Sequence, residues 1–155
     1  MNNFGKPVLR TKALLFILCL SALPGLSAAE YLVSKEAQAL NLPFSEAVRV
    51  GNMLYLSGQI GLLPGTAKLA PGGIEAEAHQ VMQNIRSVLE RHGSSLEEVV
   101  KCTVMMADIN EWATFNTVYV SYFPGPKPAR SAFAASGIGF DGRVEVECWA
   151  ASGTR

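Results

Sequence analysis

The chain has 155 residues, of which 13 are basic and 13 acidic, so its formal net charge is zero. This length favours a single domain, and the lack of a basic excess argues against a nucleic-acid-binding surface. The two histidines, His79 and His92, lie well apart on one predicted helix and form no metal-ligand pattern, so both are predicted to be solvated. No metal site is therefore expected.

Residues 1–29 have the pattern of a cleaved signal peptide. Three basic residues precede an apolar run at residues 13–23, and small residues at 27–29 occupy the expected cleavage positions, which makes Glu30 the predicted mature N-terminus. The run is shorter than the roughly 20 residues of a membrane-spanning helix. An uncleaved N-terminal anchor is the alternative. Cleavage would leave 10 basic and 13 acidic residues, a net charge of −3, on a periplasmic or secreted protein without membrane contact.

Two cysteines, Cys102 and Cys148, would remain in the mature chain. Both lie in predicted strands, and an oxidising compartment would allow a disulfide between them. Free cysteines are often buried as small apolar residues, and this pattern favours two buried thiols. The spacing alone leaves the disulfide open, because its geometry is not readable from the sequence.

Apolar periodicity after the leader predicts five strands and two helices. Residues 30–42 show little periodicity and are interpreted as a variable lead-in, and residues 43–155 as the folded domain. The predicted strands are residues 45–50, 53–60, 96–107, 130–135 and 143–152, and the predicted helices are residues 74–92 and 111–123. Both helices should pack on one face of a single mixed sheet.

The last strand indicates that the other face of the sheet is also covered. Apolar residues at 144, 146, 148 and 150 alternate with Glu145, Glu147 and Trp149, so each face carries groups that are costly to expose. We therefore expect a closed homo-oligomer with packed sheets, of which a barrel-like trimer is the natural case.

Charged side chains near the ends of the last two strands form the candidate site. Arg130 begins one strand, and Glu145 lies fifteen residues later in the next, so the two could face each other across one pocket. The guanidinium would bind a substrate carboxylate through two parallel hydrogen bonds, and the glutamate would handle a water or a proton. The local pattern alone favours the alternative, in which Arg130 is a surface or interface salt-bridge residue and Glu145 a solvated strand residue.

Four segments give the domain its resemblance to a known family. These are residues 51–60, the helix around residues 83–85, residues 99–116, and residues 128–131 with 144–147. Over about residues 43–151 the chain resembles the reactive-intermediate deaminases, the YjgF-like imine and enamine deaminases. The last segment is the most specific, because residue types and spacing agree together.

This resemblance implies a chorismate-mutase-like α+β fold and a homotrimer with sites in the clefts between subunits. It implies hydrolysis of 2-imino acids, or their 2-enamine tautomers, to 2-keto acids and ammonia without a cofactor. By resemblance, Arg130 matches the arginine that binds the substrate carboxylate, and Glu145 the glutamate that orients the attacking water. Ser57, with Gly58 beside it, and Asn116 match the polar lining of the pocket.

The chain departs from the family pattern at two positions. Phe44 replaces an aromatic hydroxyl near the substrate, and Ala132 replaces a cysteine two residues after the arginine. Phe44 removes a hydrogen-bond donor, which would slow the reaction or shift the substrate range. Together with the export signal, this leaves a second hypothesis open, a non-catalytic trimer that binds small carboxylates such as 2-keto acids. A third is a structural or chaperone-like trimer without a working pocket.

Overall fold

The computed structural model describes residues 1, 28–39 and 41–152. Most of the predicted signal peptide therefore lies outside the described residues, and its cleavage stays a prediction. Within the described ranges, none of the helices combines the length and apolar character needed to cross a membrane.

One mixed sheet forms the centre of the fold. Its strands, in the described residues, are β1 (Glu30–Leu32), β2 (Ala47–Val50), β3 (Met53–Leu56), β4 (Gln59–Ile60), β5 (Val99–Met106), β6 (Ala129–Ala134) and β7 (Val144–Ala151). The order across the sheet is β1-β2-β3-β7-β5-β6, with β4 also paired to β7. Strands β5 and β6 run parallel, whereas β7 is antiparallel to its neighbours. This arrangement confirms the predicted α+β fold.

The two long helices, α2 (Gly73–Arg91) and α3 (Trp112–Ser121), pack on the same face of this sheet, as predicted. The buried face of α2 repeats every three to four residues, whereas the strands bury alternate residues. Asp108 caps the turn before α3, since its Oδ1 accepts a hydrogen bond from the Asn110 backbone N–H at 2.9 Å. The core residues shared by helices and sheet include Val81, Met82, Ile85, Leu89, Phe115, Val104 and Val146.

The segment interpreted as a variable lead-in carries two elements of its own. Strand β1 pairs with β2, and a short helix, α1 (Lys35–Ala39), follows it. The Ser34 backbone N–H donates to Glu46 Oε2 at 2.6 Å, and the Ser34 hydroxyl caps α1 by accepting from the Ala37 N–H at 3.1 Å. The segment is too short for clear periodicity, so only its tertiary contacts reveal its structure.

The prediction of two free thiols is wrong. Cys102 and Cys148 form a disulfide, with an S–S distance of 1.99 Å and a Cα–Cα distance of 4.2 Å. They lie directly opposite each other on the antiparallel pair β5 and β7, and both are fully buried. The register of β5 against β7 brings the two cysteines together. This register depends on which strands pair, and the spacing of the cysteines in the sequence does not reveal it.

The prediction that His92 is solvated is also wrong. The side chain of His92 is only 11% exposed, and its Nε2 lies 3.7 Å from Glu46 Oε2. His79 remains exposed, as expected, and its Nδ1 lies 3.1 Å from the Tyr122 hydroxyl. The two differ because α2 ends against β2, where Arg49 Nη2 donates to the His92 carbonyl at 2.7 Å.

The face of the sheet opposite the helices exposes large apolar side chains. Tyr55 and Trp149, on the neighbouring strands β3 and β7, stack with their ring centroids 5.2 Å apart. Phe133 on β6 is 49% exposed on the same face. Large apolar side chains exposed on one face of a sheet are typical of interaction surfaces. The sequence correctly predicted this second apolar face, and the trimer remains a proposal.

Candidate active site

Arg130 lies on the edge strand β6 and points toward the helices. Its register partner is Cys102 on β5, whose side chain faces the core, so Arg130 faces the same side. Its guanidinium carbon lies 4.7 Å from the ring centroid of Tyr119, 5.8 Å from that of Trp112 and 6.0 Å from that of Phe115. All three rings belong to α3 and attract the cation through their π faces.

This guanidinium is held in place without being neutralised. Among the described residues, Arg130 has no acidic partner and no hydrogen-bonded side chain. On the same helix, Asn116 Oδ1 and the Tyr119 hydroxyl are buried and lack hydrogen-bond partners within the described part of the chain. Buried polar atoms of this kind normally have a partner. The cluster therefore fits a small anionic, polar ligand.

Burial raises the pKa of the Tyr119 hydroxyl, and the charge of Arg130 partly offsets that rise. The hydroxyl consequently stays protonated at neutral pH and is available as a hydrogen-bond donor. Ala132, two residues after Arg130, lies on the same face of β6 and packs against the core. We call Arg130, Asn116, Tyr119 and Ala132 the arginine half-site.

Glu145 lies near the start of β7, against an irregularity in the neighbouring strand. The predicted continuous strand at residues 53–60 is in fact broken at Ser57-Gly58. Three residues separate Tyr55 from Gln59, whereas only two separate their partners on β7, Trp149 and Val146. One extra residue is the signature of a β-bulge. Such bulges are over-represented next to active sites, where they redirect side chains.

Gly58 allows the Glu145 carboxylate to lie directly on the backbone of this bulge. A Cβ built on Gly58 would lie 1.9 Å from Glu145 Oε1, so any side chain there would displace the carboxylate. Within the described residues, Glu145 forms no ion pair and no side-chain hydrogen bond. Glu145 is thus a partly buried carboxylate without an ion-pair partner, and it occupies the space that Gly58 leaves open.

Ser57 and Phe44 complete this second group. The Ser57 hydroxyl donates to the Ser45 carbonyl at 2.7 Å, which leaves the oxygen lone pairs of Ser57 free to accept a hydrogen bond. Phe44, adjacent to Ser45, is 52% exposed. We call Glu145, Ser57, Gly58 and Phe44 the glutamate half-site.

The two half-sites do not meet within one chain. In the strand register, Arg130 on β6 lies level with Cys102 on β5 and Cys148 on β7, whereas Glu145 on β7 lies level with Met105 and Phe133. Arg130 and Glu145 are therefore three residues apart along the strands and two strands apart across the sheet. Strand geometry then separates the two Cα atoms by about 14 Å. An odd offset also puts the side chains on opposite faces of the sheet. The expectation that Arg130 and Glu145 face each other across a pocket is therefore wrong for a single chain.

Sequence reasoning did not assign Tyr119 and Trp112 to the site. Their spacing along one stripe of α3 is typical of helix packing, and Phe115 and Tyr119 are indeed buried. The helical spacing that predicts packing also aligns Trp112, Phe115, Asn116 and Tyr119 along one side of α3. The sequence does not show that β6 brings Arg130 to this side of α3. In the described part of the chain, no group of three His, Cys, Asp or Glu side chains could hold a metal ion.

A family model described as Endoribonuclease L-PSP matches residues 35–152, and the chain belongs to this family. A bovine relative named 2-iminobutanoate/2-iminopropanoate deaminase is 43% identical over 111 residues, covering 72% of this chain and 81% of the relative. Reactive Intermediate Deaminase A of Arabidopsis thaliana is 36% identical over 119 residues, and the match spans 77% of this chain and 64% of that protein. The family resemblance inferred from the sequence is thereby confirmed.

Solved structures agree with the fold. The yeast protein YEO7 superposes with a TM-score of 0.75 at 41% identity, covering 81% of this chain and 100% of that one. TdcF of E. coli, solved with bound serine, superposes with a TM-score of 0.68 at 29% identity, covering 72% of this chain and 90% of that one.

Proposed function

We propose that the protein hydrolyses 2-imino acids, or their 2-enamine tautomers, to 2-keto acids and ammonia, with no cofactor. The observation that carries this proposal is the unneutralised Arg130 guanidinium, held on an aromatic surface beside two unpaired polar atoms. A guanidinium so placed suits a carboxylate, which it binds bidentately. Relatives named imine deaminases, and a relative solved with an amino acid, support the same substrate class. The balanced charge of the chain gives no support to a nucleic-acid substrate.

The working site is proposed to combine the arginine half-site of one chain with the glutamate half-site of a neighbouring copy. This assignment is supported by the opposite orientation of Arg130 and Glu145 in a single chain and by the apolar face opposite the helices. A closed homotrimer would bury that face and supply three equivalent sites.

The chemistry asked of these residues is modest, because an imine already reacts with water. Arg130 would hold the substrate carboxylate and draw electron density from C2, and the Asn116 amide would accept a hydrogen bond from the ligand. Glu145 would orient a water and take its proton as the oxygen attacks C2. The resulting carbinolamine loses ammonia after the proton returns to nitrogen, so that one imine and one water give one keto acid and one ammonia.

The protein is further proposed to act outside the cytoplasm. The Cys102–Cys148 disulfide supports this location, because such bonds persist in oxidising compartments. The signal-peptide pattern of residues 1–29 points the same way.

The test of the proposed function is a competition assay on the chain beginning at Glu30. An amino-acid oxidase generates imino acids, and semicarbazide traps whatever the protein does not hydrolyse. The wild type should suppress semicarbazone formation, and Arg130→Ala should not. Arg86→Ala is the matched control, since Arg86 also stacks on a tyrosine, 5.2 Å from the Tyr122 ring, but outside both half-sites.

Unchanged turnover in Arg130→Ala would contradict the proposed role of the arginine. If the wild type fails to suppress semicarbazone but binds 2-keto acids in calorimetry, and Arg130→Ala does not, the protein is a small-carboxylate binder. If the wild type shows neither turnover nor keto-acid binding and Arg130→Ala changes nothing, only a structural trimer remains.

A further inference from the structure

A cavity lies beside the glutamate half-site, in the segment that the sequence left without an assigned role. Its volume is about 400 Å³, and its apolar lining comes from Val33, Ala37, Leu42, Pro43 and Phe44. Three polar residues complete the lining, and one of them is Ser45, whose carbonyl accepts the Ser57 hydroxyl. Small-molecule pockets typically measure about 300–1,000 Å³ and are lined mainly by apolar side chains.

Backbone pairing places this cavity next to the glutamate half-site. The Glu46 N–H donates to the Leu32 carbonyl at 3.0 Å, and the Ser57 N–H donates to the Glu46 carbonyl at 3.0 Å. The stretch Ser45-Glu46 is therefore fixed between the lead-in on one side and the Ser57-Gly58 bulge on the other. A substrate whose C2 lies near Glu145 would have this cavity within reach of its side chain.

The wall of the cavity is fixed as well. Glu46 Oε2 accepts from the Ser34 N–H at 2.6 Å, and Glu46 Oε1 forms an ion pair with Arg91 at the end of α2. The Ser34 carbonyl accepts from the Gln38 N–H at 2.9 Å, which completes the turn of α1. One carboxylate thus anchors the segment that carries Val33 and Ala37 to the body of the domain.

We propose that this cavity binds the substrate side chain and selects 2-imino acids with bulky apolar side chains, such as those derived from leucine or phenylalanine. The inference rests on the proposed deaminase function. The cavity has no charged lining residue among those described, so an acidic or basic side chain would find no ion-pair partner there. Phe44 contributes an aromatic ring with no hydroxyl, which further favours apolar groups.

The test compares imines of different side chains in the semicarbazide assay, measuring kcat/KM for those of alanine, leucine and phenylalanine. The wild type should prefer the leucine and phenylalanine imines. Leu42→Gln should lower kcat/KM for these two by about tenfold, the scale on which apolar pockets discriminate, and change that for the alanine imine within about twofold. Val120→Gln is the control, because Val120 is a comparably exposed apolar residue on α3, away from the cavity.

A second variant tests the volume of the cavity. Ala37→Leu would fill it from the α1 wall and should exclude the phenylalanine imine while sparing the alanine imine. Thermal unfolding of each variant shows whether the fold is kept, and Leu42, at 41% exposure, tolerates substitution without a core cavity.

The possible results separate the inference from the function on which it rests. Equal losses for all imines in Leu42→Gln, or a wild type that prefers the alanine imine, would overturn the side-chain pocket but leave the deaminase intact. A wild type that hydrolyses no imine at all would reject both.

Discussion

The arginine and glutamate half-sites hold opposite charges by different physical means. Arg130 lies against three aromatic rings of α3, at 4.7 to 6.0 Å from their centroids. Glu145 rests on bare backbone at Gly58, where even a methyl group would collide with it. Attraction to large aromatic side chains positions the Arg130 charge, whereas the absence of a side chain at Gly58 makes room for the Glu145 charge.

The difference shows how a charge can be positioned without being neutralised. An acidic partner would fix Arg130 equally well, but it would compete with a substrate carboxylate. Aromatic faces attract the cation while leaving its N–H groups free to donate. The glycine bulge likewise leaves both Glu145 oxygens available for water. Each half-site thus keeps its charge available for a ligand.

The largest expected effect comes from recombining the half-sites. Arg130→Ala and Glu145→Gln should each be inactive, whereas a mixture of the two variants, refolded together, should regain activity. If each site draws its arginine and its glutamate from different chains, about a quarter of the sites in a random homotrimer carry both. The semicarbazide assay measures the recovery. Its complete absence in mixed trimers, verified by mass spectrometry, would show that both residues act from one chain.

A methyl group at Gly58 should damage only the glutamate half-site. Gly58→Ala would push the Glu145 carboxylate aside and reduce kcat by roughly 100-fold, since small misplacements of a reacting group cost this much. Gly137→Ala is the matched control, because a Cβ there meets no atom within 4 Å. Keto-acid binding to Arg130 should be weakened far less than turnover. Full activity in Gly58→Ala would show that the position of Glu145 does not matter.

The disulfide connects the strands that lie between the half-sites. Cys102 and Cys148 are separated by 46 positions in sequence, and a cross-link closing such a loop stabilises a protein by about 3–4 kcal/mol. Unfolding in urea with and without reductant should show this difference in the free energy of unfolding. A Cys102→Ala/Cys148→Ala variant should not respond to reductant. Equal stability of the oxidised and reduced wild type would contradict the expected cross-link energy.

The smallest effect is expected at the Tyr119 hydroxyl. Tyr119→Phe keeps the ring beneath Arg130 and removes an unpaired buried group, so the free energy of unfolding should change by less than about 1 kcal/mol at neutral pH. A rise in KM with unchanged stability would indicate that the hydroxyl contacts the substrate.

The difference in the free energy of unfolding between wild type and Tyr119→Phe should depend on pH. Because burial raises the pKa of Tyr119 in the folded state, its protonated form contributes stability that is complete below the unfolded pKa of about 10 and is lost as pH rises through the folded pKa. Wild type should therefore lose stability relative to Tyr119→Phe only as the pH rises above about 10, as measured by urea unfolding. A stability difference between the two proteins that does not change with pH would mean that folding does not shift the pKa of the Tyr119 hydroxyl.

Local pattern was sufficient for most of the fold. The alternation of residues 144–151 and the three- to four-residue repeat of α2 predicted the two layers and the second apolar face. It failed at residues 53–60, where strand-forming apolar residues on both sides of Ser57-Gly58 conceal the bulge. It also failed at residues 30–39, where elements of three and five residues are too short to show a period.

The sequence by itself identified the candidates for the chemistry: Arg130, Glu145, Ser57, Gly58 and Asn116 stand out by residue type and by family resemblance. Only the tertiary structure decided how they are grouped. The register of β5, β6 and β7 joins Cys102 to Cys148 and turns Arg130 and Glu145 to opposite faces. Strand pairing is set by contacts between residues far apart in the chain, and a shift of one residue would reverse every face.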